Sequence, residues 1–291
     1  TIDSTSGKVV AVKEGRTAVI AKEKDTEKTA VIPVRVLAKG SKSDNVNILI
    51  EPQVLTAGNH TVMLKTNGTV WTYGIGNDRE LGLGDVTQTD NPEKVDFGDG
   101  VIITKIATGE NHTLALDSEG NVWSFGKNNF YQLGNETDEK RTTPIKISGL
   151  SNITDIACGS YSSFAINKKG EVYSFGLNAN GEGGVGSYTN KIPVTKAKYV
   201  QDAIDIKAGK NHTIILKSTG EVYATGSNLY GELGVNKDTT RSNLFTKVSG
   251  LDSVVSIDAG KSNNTAITKD GEIYVWGENN YSQLGITNKT K

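Results

Sequence analysis

The three histidines of this 291-residue chain are the side chains best suited to metal binding or proton transfer near neutral pH. His60, His112 and His212 each lie two or three residues after a recurrent glycine, and two further copies of the pattern have Ser162 and Asn263 there. A metal site needs ligands that converge from different elements, whereas equivalent positions of a repeat are spread apart. We therefore interpret them as structural residues that hydrogen-bond a neighbouring strand, and we predict no metal site.

The carboxylates give no better catalytic pattern. Glu80, Gln132, Glu182, Glu232 and Gln283 share one repeat position, so the repeat selects a hydrogen-bonding side chain there and not an acid. The sequence contains no pair of acids suited to hydrolysis, no Gly-x-Ser-x-Gly turn, no phosphate-binding loop and no His-Glu-x-x-His motif. We predict that the protein is not an enzyme, with no catalytic residues and no cofactor.

The charge balance restricts the partner. Lys and Arg number 32 against 33 Asp and Glu, which gives a formal net charge of -1. A neutral chain lacks the field that draws proteins to nucleic acids or anionic membranes. No stretch approaches the roughly 18 apolar residues of a membrane span. The expected partner is a protein or a surface polymer, with no nucleic acid and no direct membrane insertion.

The elements that carry these residues form a repeat of about 50 residues. Its most regular mark is a glycine that closes a short segment such as NVWSFG at 121–126; the five closing glycines are Gly74, Gly126, Gly176, Gly226 and Gly277. The segments between the fixed glycines are short, alternate in polarity and are rich in Val, Ile, Thr, Tyr and Trp, which is typical of half-buried strands. None has the pattern of a helix.

One complete unit contains strand-like segments at 103–109, 113–117, 121–126 and 143–148. Four strands in about 50 residues is the content of one β-propeller blade. The sequence thus predicts an all-β fold of four-stranded propeller blades, and a solenoid of stacked hairpins is the alternative architecture.

The motifs of the fourth unit show a family resemblance. It contains AGKNHT at 208–213, TGEVYATG at 219–226 and NLYGELG at 228–234. These motifs resemble the regulator of chromosome condensation repeat family, and the resemblance covers about residues 53–291. It implies a β-propeller, commonly of seven blades. The chain contains four complete units and an incomplete fifth, so we expect it to be part of a larger propeller.

The first 38 residues lack the repeat. The segments DSTSGKVVAVKEGRTAVIA at 3–21 and AVIPVRV at 30–36 resemble the second half of a bacterial group 2 immunoglobulin-like domain. The resemblance implies a partial immunoglobulin-like β-sandwich at residues 1–38, followed by a linker at 39–52. Such modules occur in secreted and cell-surface proteins, so the expected location is extracellular or on the surface of a bacterium.

Aromatic side chains are the best candidates for binding a partner. Four residues after each closing glycine the units have Asp78, Phe130, Asn180, Tyr230 and Tyr281, so three of the five are aromatic. Tyr131 follows Phe130, and Tyr188 lies in the long loop of the third unit. Exposed aromatics on loops are common anchors of protein interfaces. We predict Phe130, Tyr131, Tyr188, Tyr230 and Tyr281 as partner-binding residues; the alternative is that each ring packs on its own blade.

These features favour a non-catalytic interaction or adhesion module that binds a macromolecule through one propeller face. Two alternatives follow from the resemblance. One is guanine-nucleotide exchange on a small GTPase, and the other is secreted enzyme inhibition, since a β-lactamase-inhibiting propeller is similar. The fold alone does not separate these functions.

Overall fold

A computed structural model describes residues 15–22, 29–36, 50–235 and 238–286. The chain divides into two compact units, Thr1–Glu51 and Pro52–Lys291. In the first, β1(Gly15–Lys22) and β2(Thr29–Val36) pair antiparallel, with Gly15 opposite Val36 and Lys22 opposite Thr29. The rest of the predicted immunoglobulin-like segment and most of the predicted linker, residues 1–14, 23–28 and 37–49, lie outside the described residues. The immunoglobulin-like resemblance therefore stays a prediction.

The second unit consists of five antiparallel sheets, which we call blades 1 to 5. Blade 1 contains β3(Gln53–Ala57), β4(His60–Leu64), β5(Val70–Ile75) and β6(Gln88–Lys94). Blade 2 contains β7(Ile103–Thr108), β8(His112–Asp117), β9(Val122–Gly126) and β10(Arg141–Lys146). Blade 3 contains β11(Ile153–Cys158), β12(Ser162–Asn167), β13(Val172–Leu177) and β14(Lys191–Lys196). Blade 4 contains β15(Ala203–Ala208), β16(His212–Lys217), β17(Val222–Ser227) and β18(Arg241–Lys247). Blade 5 contains β19(Val254–Ala259), β20(Asn263–Thr268) and β21(Ile273–Gly277).

The blades follow one another around an axis. Within each blade the strands pair in chain order. Each first strand contacts the first strand of the next blade, so β3, β7, β11, β15 and β19 lie innermost. This is a propeller arrangement, and it confirms the predicted all-β fold. The described residues contain no helix, and so no helix that could span a membrane.

The core lies between blades. Every residue of β8 is buried, and this strand contacts β11 of blade 3. Leu114, Leu116, Ile156 and Phe175 belong to one such interblade cluster. Burying a side chain of this size stabilises the fold by about 1.5–3 kcal/mol. The interblade clusters therefore make the sheets a rigid support for the loops at their ends.

Antiparallel order places the loops on two faces of the propeller. The turn face carries the turns between first and second strands and the loops between third and fourth strands. The hairpin face carries the second-to-third-strand hairpins and the connections between blades. A closing glycine such as Gly126 is needed where these loops begin, because its φ is +109° and an added Cβ would lie 2.5 Å from the Asn111 carbonyl oxygen.

Candidate protein-binding face

The loops of the turn face share one hydrogen bond. The Glu or Gln at the shared repeat position accepts the backbone N–H of the residue two positions earlier, which is the position of the predicted aromatic anchors. The donor–acceptor pairs are Asp78–Glu80 at 2.7 Å, Phe130–Gln132 at 2.9 Å, Asn180–Glu182 at 2.8 Å, Tyr230–Glu232 at 2.7 Å and Tyr281–Gln283 at 2.8 Å. An amide oxygen and a carboxylate oxygen both accept this bond, which confirms that the repeat selects an acceptor and not an acid.

The three carboxyl groups at this position, those of Glu80, Glu182 and Glu232, are all buried. Burial raises the pKa of Glu182 to about 7, and it raises the pKa of Glu232 in the same direction. One oxygen of Glu182 has no hydrogen-bond partner among the described residues. Because these side chains are committed to their own loops, they support the backbone and are not placed to act on a substrate.

Two of the three histidines hydrogen-bond the adjacent blade. His112 Nε2 lies 2.9 Å from Ser163 Oγ of blade 3, and His212 Nε2 lies 2.8 Å from Asn264 Oδ1 of blade 5. Burial lowers the pKa of His112 to about 3 and that of His212 to about 4. His60 is also buried, and desolvation lowers its pKa to about 4, but among the described residues neither of its ring nitrogens hydrogen-bonds another blade, so the predicted hydrogen bond is not seen for this histidine. Neutral imidazoles at interblade positions are structural, and the described residues contain no cluster of three or more metal-binding side chains.

Phe130 and Tyr131 lie against the next blade. The Phe130 ring centroid is 5.5 Å from that of Tyr161, which lies in the first turn of blade 3. The Lys191 ammonium of blade 3 lies 4.2 Å from the centre of the Tyr131 ring. Both rings are half-buried. Their main contacts are therefore within the chain.

Tyr188 has a similar contact one blade further on. The guanidinium carbon of Arg241 in blade 4 lies 4.1 Å from the centre of its ring, and the same guanidinium donates a hydrogen bond of 3.2 Å to the Ala179 carbonyl oxygen. The Tyr188 residue remains 41% exposed. It contributes to the joint between blades 3 and 4 and also presents surface to solvent.

Tyr230 and Tyr281 are different, because both are exposed. Tyr230 is 39% exposed and Tyr281 is 87% exposed. Tyr230 occupies the position of Phe130, but blade 5 has Ser262 where blade 3 has Tyr161, so it lacks a ring to pack on. Leu229, next to Tyr230, is 60% exposed. We call Leu229 and Tyr230 the blade 4 tip.

The centre of the turn face is a shallow depression of about 470 Å³. Its wall is mostly backbone and small residues of the first turns, with Glu110, Lys210 and Lys261 as the charged residues. Backbone hydrogen bonds join these turns across blades, from the Glu110 N–H to the Ser160 carbonyl at 3.1 Å and from the Lys210 N–H to the Lys261 carbonyl at 2.9 Å. The depression has no deep apolar lining, so it suits a protruding segment of a protein better than a small apolar ligand.

Sequence reasoning did not identify Leu229 and Tyr161. A signal for Leu229 is present, because it is a large apolar residue at a position that is otherwise Asn77, Asn129, Ala179 and Asn280. The role of Tyr161 depends on its contact with Phe130 between the neighbouring blades 2 and 3. The alignment of the repeats does not reveal this contact. The structure thus separates the predicted aromatics into those covered by the next blade and those left exposed.

Comparison with known proteins identifies relatives of this fold. The family profile of the RCC1-like domain matches residues 3–291. The Protein RCC2 homolog of Xenopus laevis is 37% identical over 81 residues, which are 27% of this chain and 16% of that protein. The crystal structure of Prp20p from Saccharomyces cerevisiae matches with a TM-score of 0.72 at 27% identity, over 81% of this chain and 60% of that one. The crystal structure of Kap60 bound to yeast RCC1 (Prp20) matches with a TM-score of 0.70 at 28% identity, over 78% of this chain and 56% of that one. The chain thus spans less than two thirds of the length of each of these relatives.

Proposed function

Since this chain belongs to the RCC1-like domain family, we propose that it is a non-catalytic protein-interaction module that binds a macromolecular partner through the turn face of its propeller. The yeast relative Prp20 has protein partners as well, since one of its structures is a complex with Kap60 and the other is reported with its binding to Gsp1p and histones. A shared fold does not fix a function, so the proposal rests on the side chains of the turn face.

The observation that carries the proposal is the exposure of the blade 4 tip. Leu229 and Tyr230 present an apolar and an aromatic side chain side by side on a loop that is fixed by the Tyr230–Glu232 hydrogen bond of 2.7 Å. Interfaces concentrate their binding energy in a few aromatic or apolar anchors on rigid supports. Tyr281 occupies the equivalent position of blade 5 and extends the same side of the face. We assign Leu229 and Tyr230 as the main anchors, and Tyr281 stays a predicted partner-binding residue.

The proposal includes the location of the protein, at the surface of a bacterium or outside the cell. The resemblance of residues 3–36 to a bacterial immunoglobulin-like domain supports it. Protease treatment of intact cells of the source organism tests it, because an exposed protein is digested and an internal one is protected. Full protection in intact cells together with digestion after lysis would contradict the location and leave the interaction proposal standing.

The proposed function is tested by giving the blade 4 tip the sequence of blade 3. The double substitution Leu229→Ala and Tyr230→Asn reproduces Ala179 and Asn180, which the same loop fold already accommodates. We expect about tenfold weaker capture of partner proteins in a quantitative pull-down from surface extracts. The thermal midpoint should stay within about 2 °C, because both side chains are largely outside the core.

The matched control is Phe130→Ala, which removes a ring from the equivalent position of blade 2. It should lower stability and leave capture unchanged when measured below its own melting temperature. Unchanged capture by the blade 4 double variant would contradict the assignment of the binding face.

A further inference from the structure

The connection between blades 3 and 4, on the hairpin face, has a tyrosine where its counterparts have glycine. Tyr199 aligns with Gly149 and Gly250 of the neighbouring connections. All three have positive φ, at +60° for Tyr199, +81° for Gly149 and +72° for Gly250. A bulky side chain rarely adopts this conformation, whereas glycine adopts it freely. Blade 3 therefore has a strained residue where a better-suited one is available in the same repeat.

The contacts within the chain do not account for this tyrosine. Its neighbours Ala197 and Val200 are buried in the cluster that joins blades 3 and 4, which fixes the backbone on both sides. Tyr199 itself is 88% exposed, and its side chain has no hydrogen bond or ring contact among the described residues. Strained residues that make no internal contact are a recurrent mark of binding sites.

Lysines of the blade 3 hairpin lie on the same face as Tyr199. The blade 3 hairpin contains exposed Lys168 and Lys169, and its Gly170 carbonyl accepts the Ala203 N–H at 3.2 Å, so the hairpin lies beside the connection. Lys198 precedes Tyr199 in the connection, and its side chain lies against Gly186 of the loop between β13 and β14. The corresponding hairpin positions have Ser118 and Glu119 in blade 2, Ser218 and Thr219 in blade 4, and Lys269 and Asp270 in blade 5. Among the described hairpins, the one in blade 3 is thus the most basic.

The nearby acids leave this positive charge largely uncompensated. Glu171 forms an ion pair with Lys196 at 2.6 Å and also interacts electrostatically with Lys169. Asp202 is exposed at the end of the connection. Lys168, Lys169 and Lys198 form no ion pair among the described residues, although the whole chain has a net charge of only -1. Four lysines, Lys168, Lys169, Lys196 and Lys198, against the two carboxylates of Glu171 and Asp202 leave a local excess of positive charge.

We propose that Lys168, Lys169 and Tyr199 form a second interaction surface, on the hairpin face of blade 3, that binds an acidic segment of a partner protein. The exposed Tyr199 ring is the anchor, because a tyrosine supplies contact area at low entropic cost. The lysines select carboxylates by charge complementarity. The surface lies on the face opposite the blade 4 tip, so the propeller has two binding faces.

The test measures binding of a fluorescein-labelled peptide rich in Asp and Glu, with one central Leu, to the full chain by fluorescence anisotropy. A peptide with Lys at every acidic position is the probe control. We expect the acidic peptide alone to bind, and to bind about tenfold more weakly when NaCl is raised from about 50 to about 500 mM. Equal binding of the two peptides would overturn the proposal.

Substitutions that copy the other blades separate binding from folding. Tyr199→Gly should weaken peptide binding about tenfold, while its thermal midpoint is equal to or higher than that of the wild type. Tyr199→Asn should behave likewise, because Asn tolerates positive φ. This variant controls for the added backbone flexibility of glycine. Lys168→Ser with Lys169→Thr, the blade 4 sequence, should weaken binding and reduce its salt dependence.

Tyr281→Ala, on the turn face, should leave peptide binding unchanged, which distinguishes this surface from the one in the proposed function. Wild-type affinity in both Tyr199 variants would overturn the proposal. Displacement of the peptide by duplex DNA at a lower concentration than by unlabelled peptide would also overturn it, because the surface would then select phosphate and not an acidic protein segment.

Discussion

Blade 2 and blade 4 present the same loop on the turn face with opposite outcomes. In blade 2, Phe130 packs against Tyr161 of the next blade with ring centroids 5.5 Å apart. In blade 4, Tyr230 holds the same position, and the residue that corresponds to Tyr161 is Ser262. The loop hydrogen bond to Gln132 or Glu232 is preserved in both. The two loops therefore share a backbone and differ in what covers the ring.

The difference shows that an aromatic residue at a loop position does not by itself mark a binding site. The following blade decides whether the ring is part of the fold or part of the surface. The alternative for the predicted aromatics was that each ring packs on its own blade. Phe130 and Tyr131 instead contact the next blade. Tyr230 and Tyr281 remain predicted anchors. Tyr188 contributes both to the joint between blades 3 and 4 and to the exposed surface.

The largest expected effect concerns the buried histidines of blades 2 and 4. Their contributions to stability compare the blade 2–3 interface with the blade 4–5 interface. The pKa of His112, about 3, and that of His212, about 4, lie below the ordinary value of 6.5. Between pH 6.5 and about 4 the unfolded chain therefore binds protons that the folded chain does not. Stability is fully present above pH 6.5 and falls by about 2 kcal/mol per histidine as the pH drops to about 4.5.

Urea denaturation at pH 7 and pH 4.5 measures this loss. His112→Ser and His212→Asn, the residues that blades 3 and 5 use at this position, should each remove one histidine's share of the pH dependence. Equal shares would show that the blade 2–3 and blade 4–5 interfaces are alike. A variant with the same pH dependence as the wild type would contradict the assignment of the loss to these side chains.

A smaller effect is expected from removing the ring at the shared loop position. Phe130→Ala should destabilise the fold by about 1–3 kcal/mol, because it removes a half-buried ring and its packing against Tyr161. Tyr230→Ala should change stability by less than about 0.5 kcal/mol, since exposed side chains contribute little. Chemical denaturation of both variants under one buffer condition is the measurement. Equal losses would remove the distinction between the two loops.

The third prediction concerns the buried carboxyl groups, and it compares how deeply the loops of blades 3 and 4 bury them. The pKa of Glu182, about 7, lies above its ordinary value of 4.5, so the unfolded chain loses a proton between pH 4.5 and 7 that the folded chain keeps. Stability therefore falls as the pH rises through this window. Glu182→Gln, which copies Gln132 and Gln283, should abolish this fall and add about 1–3 kcal/mol at pH 8.

Glu232→Gln is the matched variant in blade 4. Its carboxyl group is less deeply buried than that of Glu182, so we expect a smaller gain at pH 8. Denaturation of the three proteins at pH 5 and pH 8 checks the order. A larger gain in blade 4 than in blade 3 would show that the blade 4 loop is the deeper of the two.

The smallest effect is expected at Tyr131, where blades 3 and 4 have Gly181 and Gly231. Tyr131 has a φ of +68°, so Tyr131→Gly relieves backbone strain while it removes the contact with Lys191. The two effects oppose each other, and we expect the thermal midpoint to move by no more than about 3 °C. A large loss measured by calorimetry would mean that the ring is a main component of the blade 2–3 joint.

The sequence was sufficient to predict the repeat and its strands. The segments predicted at 103–109, 113–117 and 121–126 correspond closely to β7, β8 and β9, because fixed glycines delimit them. The fourth strand, predicted at 143–148, is Arg141–Lys146, because no glycine marks its beginning. Strand pairing within a blade follows from local order, so glycine spacing and alternation suffice to predict it.

The sequence was not sufficient to predict which side chains the next blade covers. The contact between Phe130 and Tyr161 joins residues that are far apart in the sequence, and it depends on how two sheets pack. Tyr199 was missed for another reason. Its alignment with Gly149 and Gly250 is visible in the sequence, but only the backbone angle of +60° shows that the tyrosine is strained.

Hydroxyl-radical footprinting of the protein, free and with its captured partner, tests the central claim most directly, because it reports side-chain exposure at both loops in one experiment. The account predicts that Leu229 and Tyr230 become protected when the partner binds, while the modification of Phe130 and Tyr131 stays as it is in the free protein. Protection of Phe130 and Tyr131 with an unchanged blade 4 tip would contradict it.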